Sequence, residues 1–129
     1  MKEQAASESE QHWLQRFQSV INAKDYDAVN RLCSPSIMAF GTVANVTHGL
    51  EWLIEDQYKK MWPQIVKFEF AALPAIWRGC GLTVIAVLWD ATNWRRNWFG
   101  RRVEYQRSGR ATLVLQKGGA VHTHFSITP

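Results

Sequence analysis

Leu82-Thr83-Val84-Ile85-Ala86-Val87-Leu88-Trp89 is the stretch on which the fold turns. It is rich in β-branched residues and apolar at both alternating parities, so it reads as a strand whose two faces are both covered. Gly79-Cys80-Gly81 just before it supplies a turn from a strand ending near Trp77. Upstream, Val66, Phe68 and Phe70 alternate with Lys67 and Glu69, the pattern of a strand buried on one face. Downstream, Arg110 to Lys117, Gly118-Gly119 and Ala120 to Ile127 read as a hairpin closed by a two-residue glycine turn. Everything after Pro63 is therefore expected to be antiparallel sheet. With helices on only one face, the second face of Leu82 to Trp89 is most simply covered by another subunit.

The first half supplies those helices. Trp13, Leu14, Phe17, Val20 and Ile21 recur at helical spacing behind a capping box of Ser7 and Glu10. A second short helix is expected after Asp25, with Tyr26, Val29 and Leu32 inward and Pro35 as its stop. Ser36 to Thr42 reads as a strand. Gly49 to Trp62 reads as a third helix that buries Leu50, Leu53, Ile54, Tyr58 and Met61 and ends at Pro63. Glu55 with Lys59 and Asp56 with Lys60 are i,i+4 pairs that mark its solvated side.

Composition sets the outer bounds. The 129 residues, 47% hydrophobic and 20% charged, make one ordinary globular domain, with residues 1–7 expected to fray. Seven Trp in so short a chain call for a large aromatic core or an aromatic-lined cavity. The start MKEQAASESE has no apolar h-region and Leu82 to Trp89 is too short to span a bilayer, so a cytoplasmic protein with no membrane partner is expected. Cys33 and Cys80 show no metal or redox spacing and read as small buried hydrophobes. The net charge of +4 is uneven: residues 95–110 hold six Arg against the single acid Glu104.

Helix, helix, strand, helix and then long antiparallel strands is an element order that resembles the nuclear transport factor 2-like cone fold. Phe40-Gly41-Thr42, Gly49, Gly109-Arg110-Ala111-Thr112-Leu113-Val114-Leu115 and His122-Thr123-His124-Phe125-Ser126 resemble its SnoaL-like branch. The resemblance spans nearly the whole chain and implies an α+β cone, a homodimer, and a pocket between the helices and the concave sheet. The superfamily includes cyclases, isomerases, dehydratases and noncatalytic binders, so fold alone does not give function. Three positions depart from the pattern. Gly118 stands where the last strand usually begins with Trp, the first strand offers Met38 and Phe40 rather than an acid, and the first helix offers Phe17 rather than a tyrosine. The last two count against a steroid-isomerase-like site.

Pairing across Gly118-Gly119 sets Leu115 opposite His122 and Leu113 opposite His124, which places both imidazoles on the concave side. They are candidates for acid/base work near neutral pH, with structural hydrogen bonding as the alternative. Asp90 after the central strand is a third candidate if it points inward, and otherwise only solvates a turn. His48 can cap the third helix or line the pocket mouth, and Tyr26 and Tyr58 can donate to a carbonyl. The expected pocket is lined by Trp13, Phe17, Phe40, Tyr58, Trp89, His122 and His124. It takes a small, largely apolar molecule, with isomerisation, cyclisation or dehydration as the reaction class if chemistry occurs. No cofactor is implied, because there is no glycine-rich phosphate loop and no metal constellation. The noncatalytic rival is a ligand-binding or assembly module. Trp94-Arg95-Arg96-Asn97-Trp98-Phe99-Gly100-Arg101-Arg102 has the aromatic and basic interleaving of single-strand nucleic-acid binders. A hairpin tip whose arginines stack on Trp94 and Trp98 accounts for it equally well.

Overall fold

The apolar stripe of the first segment is buried as helix α1 (Glu8–Ala23), with Phe17 1% exposed at its centre. The structure, a computed structural model, describes residues 8–41 and 46–128; Ser7 of the expected capping box, the expected fraying of residues 1–7, and Thr42 lie outside them. Helix α1 ends in a Schellman motif. Lys24 takes the left-handed conformation (φ 55°), its N–H donates to Ile21, and the Asp25 N–H donates to Val20. Glu10, buried on the inner side of α1, forms an ion pair with Arg78, whose Nε donates to Oε1 at 2.6 Å.

The expected second helix is a five-residue 3-10 turn, Asp27–Arg31, so the chain has two helical segments against the sheet rather than three. Asp25 does cap it, accepting from the Ala28 N–H at 3.2 Å. Strand β1 (Cys33–Phe40) follows at once, and Pro35 lies inside it, exposed, where the register shifts between Cys33 and Met38. A proline is tolerated there because a bulge asks for no ladder donor. Strand β2 (Val46–His48) then leads through Gly49, at φ 100°, into the second helical segment.

That segment begins as α2 (Leu50–Leu53), widens to a π turn (Ile54–Tyr58), and closes through α3 (Lys59–Met61) and a 3-10 turn (Trp62–Gln64). The extra residue of the π turn lets the consecutive Gln57 and Tyr58 both face inward, 2% and 6% exposed. The ion pairs Glu55–Lys59 (2.6 Å) and Asp56–Lys60 (3.9 Å) lie on the solvated side.

The remaining strands are β3 (Ile65–Phe70), β4 (Ala75–Gly79), β5 (Leu82–Arg96), β6 (Arg102–Gln116) and β7 (Gly119–Ile127). They form one curved, unclosed sheet in the order β2-β1-β7-β6-β5-β3, with β4 also on β5. The sheet is mixed, since β1 runs parallel to β7 while every other pair is antiparallel. The α1 side chains of Asn22 and Gln18 satisfy the backbone of edge strand β3 at Phe68 and Phe70, which fixes the helix across the concave face.

Strand β5 is buried on one face only in the single chain. Ile85, Val87, Trp89, Ala91 and Asn93 point inward, while Ala86, Leu88 and Asp90 are exposed. Val66, expected inside, is exposed because β3 shifts register between Ile65 and Lys67. Gly109, directly opposite Trp89, allows the indole to lie flat over β6, since a Cβ there would collide with the Trp89 ring and the Ser126 carbonyl.

Candidate functional site

The last hairpin decides what faces the concave side. Its turn is Lys117-Gly118, both at positive φ, with Gln116 paired to Gly119 and Leu115 to Ala120. The register then shifts, so that Val114 meets His122, Leu113 meets Thr123 and Thr112 meets His124. Val121 is the extra residue of a β-bulge, and one extra residue transfers every later side chain to the other face. Thr123 and Phe125 therefore point inward, and His122 and His124 lie on the convex face. Without the bulge, either position of the turn would have kept both imidazoles inside.

Between the two helical segments and the concave sheet lies a cavity of about 60 Å³. Its wall is aromatic. Tyr58 stacks on Trp62 at 4.3 Å, Phe17 meets both edge-on, and Phe68, Trp89 and Phe125 complete it. The Trp89 indole N–H is satisfied by the Arg110 carbonyl at 3.2 Å.

Five polar side chains interrupt this wall: Gln57, Tyr58, Asn93, Arg107 and Thr123. The Gln57 amide donates to the Thr47 hydroxyl, and Gly41 makes room for it, since a Cβ there would collide with that amide. Tyr58 Oη and Asn93 Oδ1 are buried and make no hydrogen bond of good geometry among the described residues; the Thr123 hydroxyl lies close enough to Tyr58 to act on it without completing one. Such atoms are uncommon in folded proteins, because each forfeits its solvation. Burial, and secondarily Cys33, push the Tyr58 hydroxyl well above the ordinary phenol range; Thr123 pulls it back in part. Tyr58 is thus a neutral donor at physiological pH. Burial likewise pushes Cys33 up to about 12, so it is a thiol with no nucleophilic character.

Of the residues expected to line the pocket, Phe17, Tyr58 and Trp89 do so. Phe40 borders the cavity at the end of β1, but its ring lies on the convex face, 5.8 Å from His122 and 5.3 Å from His124. Trp13 does not reach the cavity. It stacks on Phe17 at 5.2 Å, donates to the Leu32 carbonyl, and shares the wall of a separate open groove with Arg16, Arg78 and Gly118. Asp90 is exposed between Glu69 and Ser108 on the outer face of β5. His48 is exposed in β2 opposite Met38 and caps nothing, and Tyr26 packs on the far side of Trp62 at 5.5 Å.

Of the five polar groups that face the cavity, Tyr58 is expected from the sequence, and Gln57, Asn93, Arg107 and Thr123 are not. Asn93 was the most accessible, since it shares the parity of Ile85, Val87, Trp89 and Ala91 along β5. Gln57 and Thr123 depend on the π turn and the bulge, which leave no periodic signal. Among the described residues no three His, Cys, Asp or Glu converge to hold a metal ion, and no helix is long and apolar enough to cross a membrane.

No family model matches the chain. Curated relatives match about half of it: a UPF0382 membrane protein of Staphylococcus haemolyticus is 33% identical over 69 residues, covering 54% of this chain and 50% of that protein. A second, from Staphylococcus epidermidis, is 32% identical over 65 residues, covering 50% and 48%. The chain thus spans about half the length of the curated relatives it matches. Solved structures match throughout. A nuclear transport factor 2-like superfamily protein of Salmonella enterica superposes with a TM-score of 0.74 at 22% identity, covering 94% of this chain and 91% of the other. An uncharacterized protein with a cystatin-like fold from Caulobacter vibrioides gives 0.74 at 15% identity, covering 94% and 88%. A Streptomyces avermitilis protein provisionally named a dehydratase of the same family gives 0.73 at 9% identity, covering 94% and 95%. Other neighbours carry provisional names of polyketide cyclase and ketosteroid isomerase. The fold is therefore the nuclear transport factor 2-like fold.

Proposed function

We propose that this chain is a SnoaL-like protein that binds one small, largely apolar molecule in the concave cavity and orients it through a carbonyl or hydroxyl group. The observation that carries the reading is the pair of buried polar atoms, Tyr58 Oη and Asn93 Oδ1, that make no hydrogen bond of good geometry on a largely apolar wall. An apolar enclosure with a few polar groups of fixed direction is the usual composition of a small-molecule site. A ligand carbonyl accepts from Tyr58, and a ligand hydroxyl donates to Asn93. The enclosed volume is under half of the ~150 Å³ of a cavity that holds benzene, which favours a compact ligand.

Acetone and 2-methylpropene, small enough for a cavity of this size and alike in shape but for the oxygen, make the test. The ketone should bind more tightly by about 2- to 10-fold, the worth of one hydrogen bond, and Tyr58→Phe should erase the difference while leaving the hydrocarbon's affinity unchanged. Titration followed by amide chemical shifts reads both. Equal affinities, or a preference that survives Tyr58→Phe, would remove the orienting role.

Cofactor-independent isomerisation, cyclisation or dehydration is a second reading, supported by the provisional names of the neighbours and by Tyr58 as a neutral oxyanion donor. Among the described residues, however, the cavity wall carries no carboxylate or imidazole to act as base, which favours binding. We further propose that the convex face pairs with a second copy. Leu88 (58% exposed) lies on it opposite Arg110, and Met38 (43%) and Phe40 lie on it beside His122 and His124, so these imidazoles serve an interface rather than a proton relay. Light scattering should give twice 14.9 kDa, falling to one chain in Leu88→Asp; a folded wild-type monomer at micromolar concentration would overturn the pairing.

A further inference from the structure

The hairpin of β5 and β6 ends in a turn built to display two rings. Asn97 Oδ1 accepts from the N–H groups of Phe99 (2.9 Å) and Arg101 (3.0 Å). The Asn97 N–H donates to the Arg101 carbonyl, and the Gly100 N–H donates to the Asn97 carbonyl. Arg96 Nη1 donates to the Gly100 carbonyl at 3.0 Å, and Gly100 holds φ 76°. Held at the apex, Trp98 is 94% exposed and Phe99 83%. The arginines do not cover them. Arg96 and Arg102 lie 5.8 and 4.9 Å over the ring of Trp94, and Arg95 lies 5.4 Å over Tyr105. The sequence expectation that the guanidiniums stack on both Trp94 and Trp98 therefore holds for Trp94 alone.

We infer that this hairpin tip docks on an anionic lipid bilayer, with Trp98 and Phe99 in the interface and Arg95, Arg96, Arg101 and Arg102 against the headgroup phosphates. The layering is the reason. Rings lead and cations follow two or three residues behind, which at about 3.3 Å per strand residue places the guanidiniums at headgroup depth when the rings sit ~5–10 Å in. Indoles favour that boundary, and clustered arginines are drawn to anionic lipid. Glu104 is the acid of this region; it lies 3.8 Å from Arg102 and leaves the four arginines a net charge of three. A single-stranded nucleic acid fits less well. Its binders interleave exposed rings with phosphate contacts along a groove, whereas here the interleaved ring Trp94 is already faced by guanidiniums and the free rings stand at the apex. Nor does the tip suffice for pairing with a second copy, because a Trp and a Phe bury about 150–250 Å² each, well short of the ~1,200 Å² of a stable interface.

The whole chain is to be sedimented with vesicles of phosphatidylcholine alone and with about one-third phosphatidylserine. It should bind the mixed vesicles and not the neutral ones, and added salt should weaken the binding. The double substitution Trp98→Ser/Phe99→Ser should lower the vesicle partition coefficient by roughly 10-fold or more with the circular dichroism spectrum unchanged, because both rings are exposed in the free chain. Absence of binding to the mixed vesicles, or binding indifferent to that substitution, overturns the proposal. So does a shift of the double variant from dimer to monomer, which would assign the rings to a second copy. Oligonucleotide binding lost in the same variant while vesicle binding persists would assign the tip to nucleic acid instead.

Discussion

Phe17→Ala should lower the unfolding free energy by about 3–5 kcal/mol, read as a fall in the urea midpoint at unchanged slope. Phe17 is 1% exposed and is the centre of the aromatic cluster. Its ring stacks on Trp13 at 5.2 Å, meets Trp62 edge-on at 6.3 Å, and lies 6.4 Å from each of Tyr58, Phe70 and Phe125. It thereby joins α1 to the second helical segment and to strands β3 and β7. Removing the ring loses its burial and leaves a void beside a cavity that already exists, which the stiff neighbouring rings cannot close. The enlarged space should admit benzene, and saturating benzene should recover part of the lost stability by mass action. Phe17→Leu, which keeps most of the volume, should cost roughly 1–2 kcal/mol. A loss under about 1 kcal/mol for Phe17→Ala would mean that the rings collapse freely, and the cavity could not then be a rigid site.

Much of this cluster was legible from spacing. The 3.6-residue period of Trp13, Phe17 and Ile21 and the two-residue period of Trp89 and its neighbours each place a ring on a buried face, because regular elements repeat their geometry. Periodicity fails where the backbone departs from that repeat. The π turn brings in Gln57, the bulge at Val66 turns a valine out to solvent, and the bulge at Val121 exchanges the two histidines for Thr123 and Phe125. Each departure inserts one residue without any compositional mark, and each sets which side chains reach the cavity or its rim. The parallel pairing of β1 with β7 was hidden for a related reason. It joins the first strand to the last, and alternation along one strand says nothing about which neighbour lies beside it.

Deletion of Val121 tests the bulge itself. Val121 is the residue that β7 has in excess of β6 between Ala120 and His122, so the shortened strand pairs regularly: Ala120 stays on Leu115, His122 on Val114 and Thr123 on Leu113. Thr123 and Phe125 therefore keep facing the cavity, and both imidazoles stay on the convex face. What is lost is the local bend of the bulge and a partly buried valine side chain. Ala120 keeps its fully buried place, where its N–H donates to the Leu32 carbonyl at 2.9 Å. The deletion should therefore fold, at a cost of about 1–2 kcal/mol, and Val121→Ala, which keeps the bulge, should cost under about 1 kcal/mol. Urea denaturation of the two variants gives the comparison. A deletion that unfolds the domain would show that the bend at Val121, and not the pairing on either side of it, seats β7 between β1 and β6.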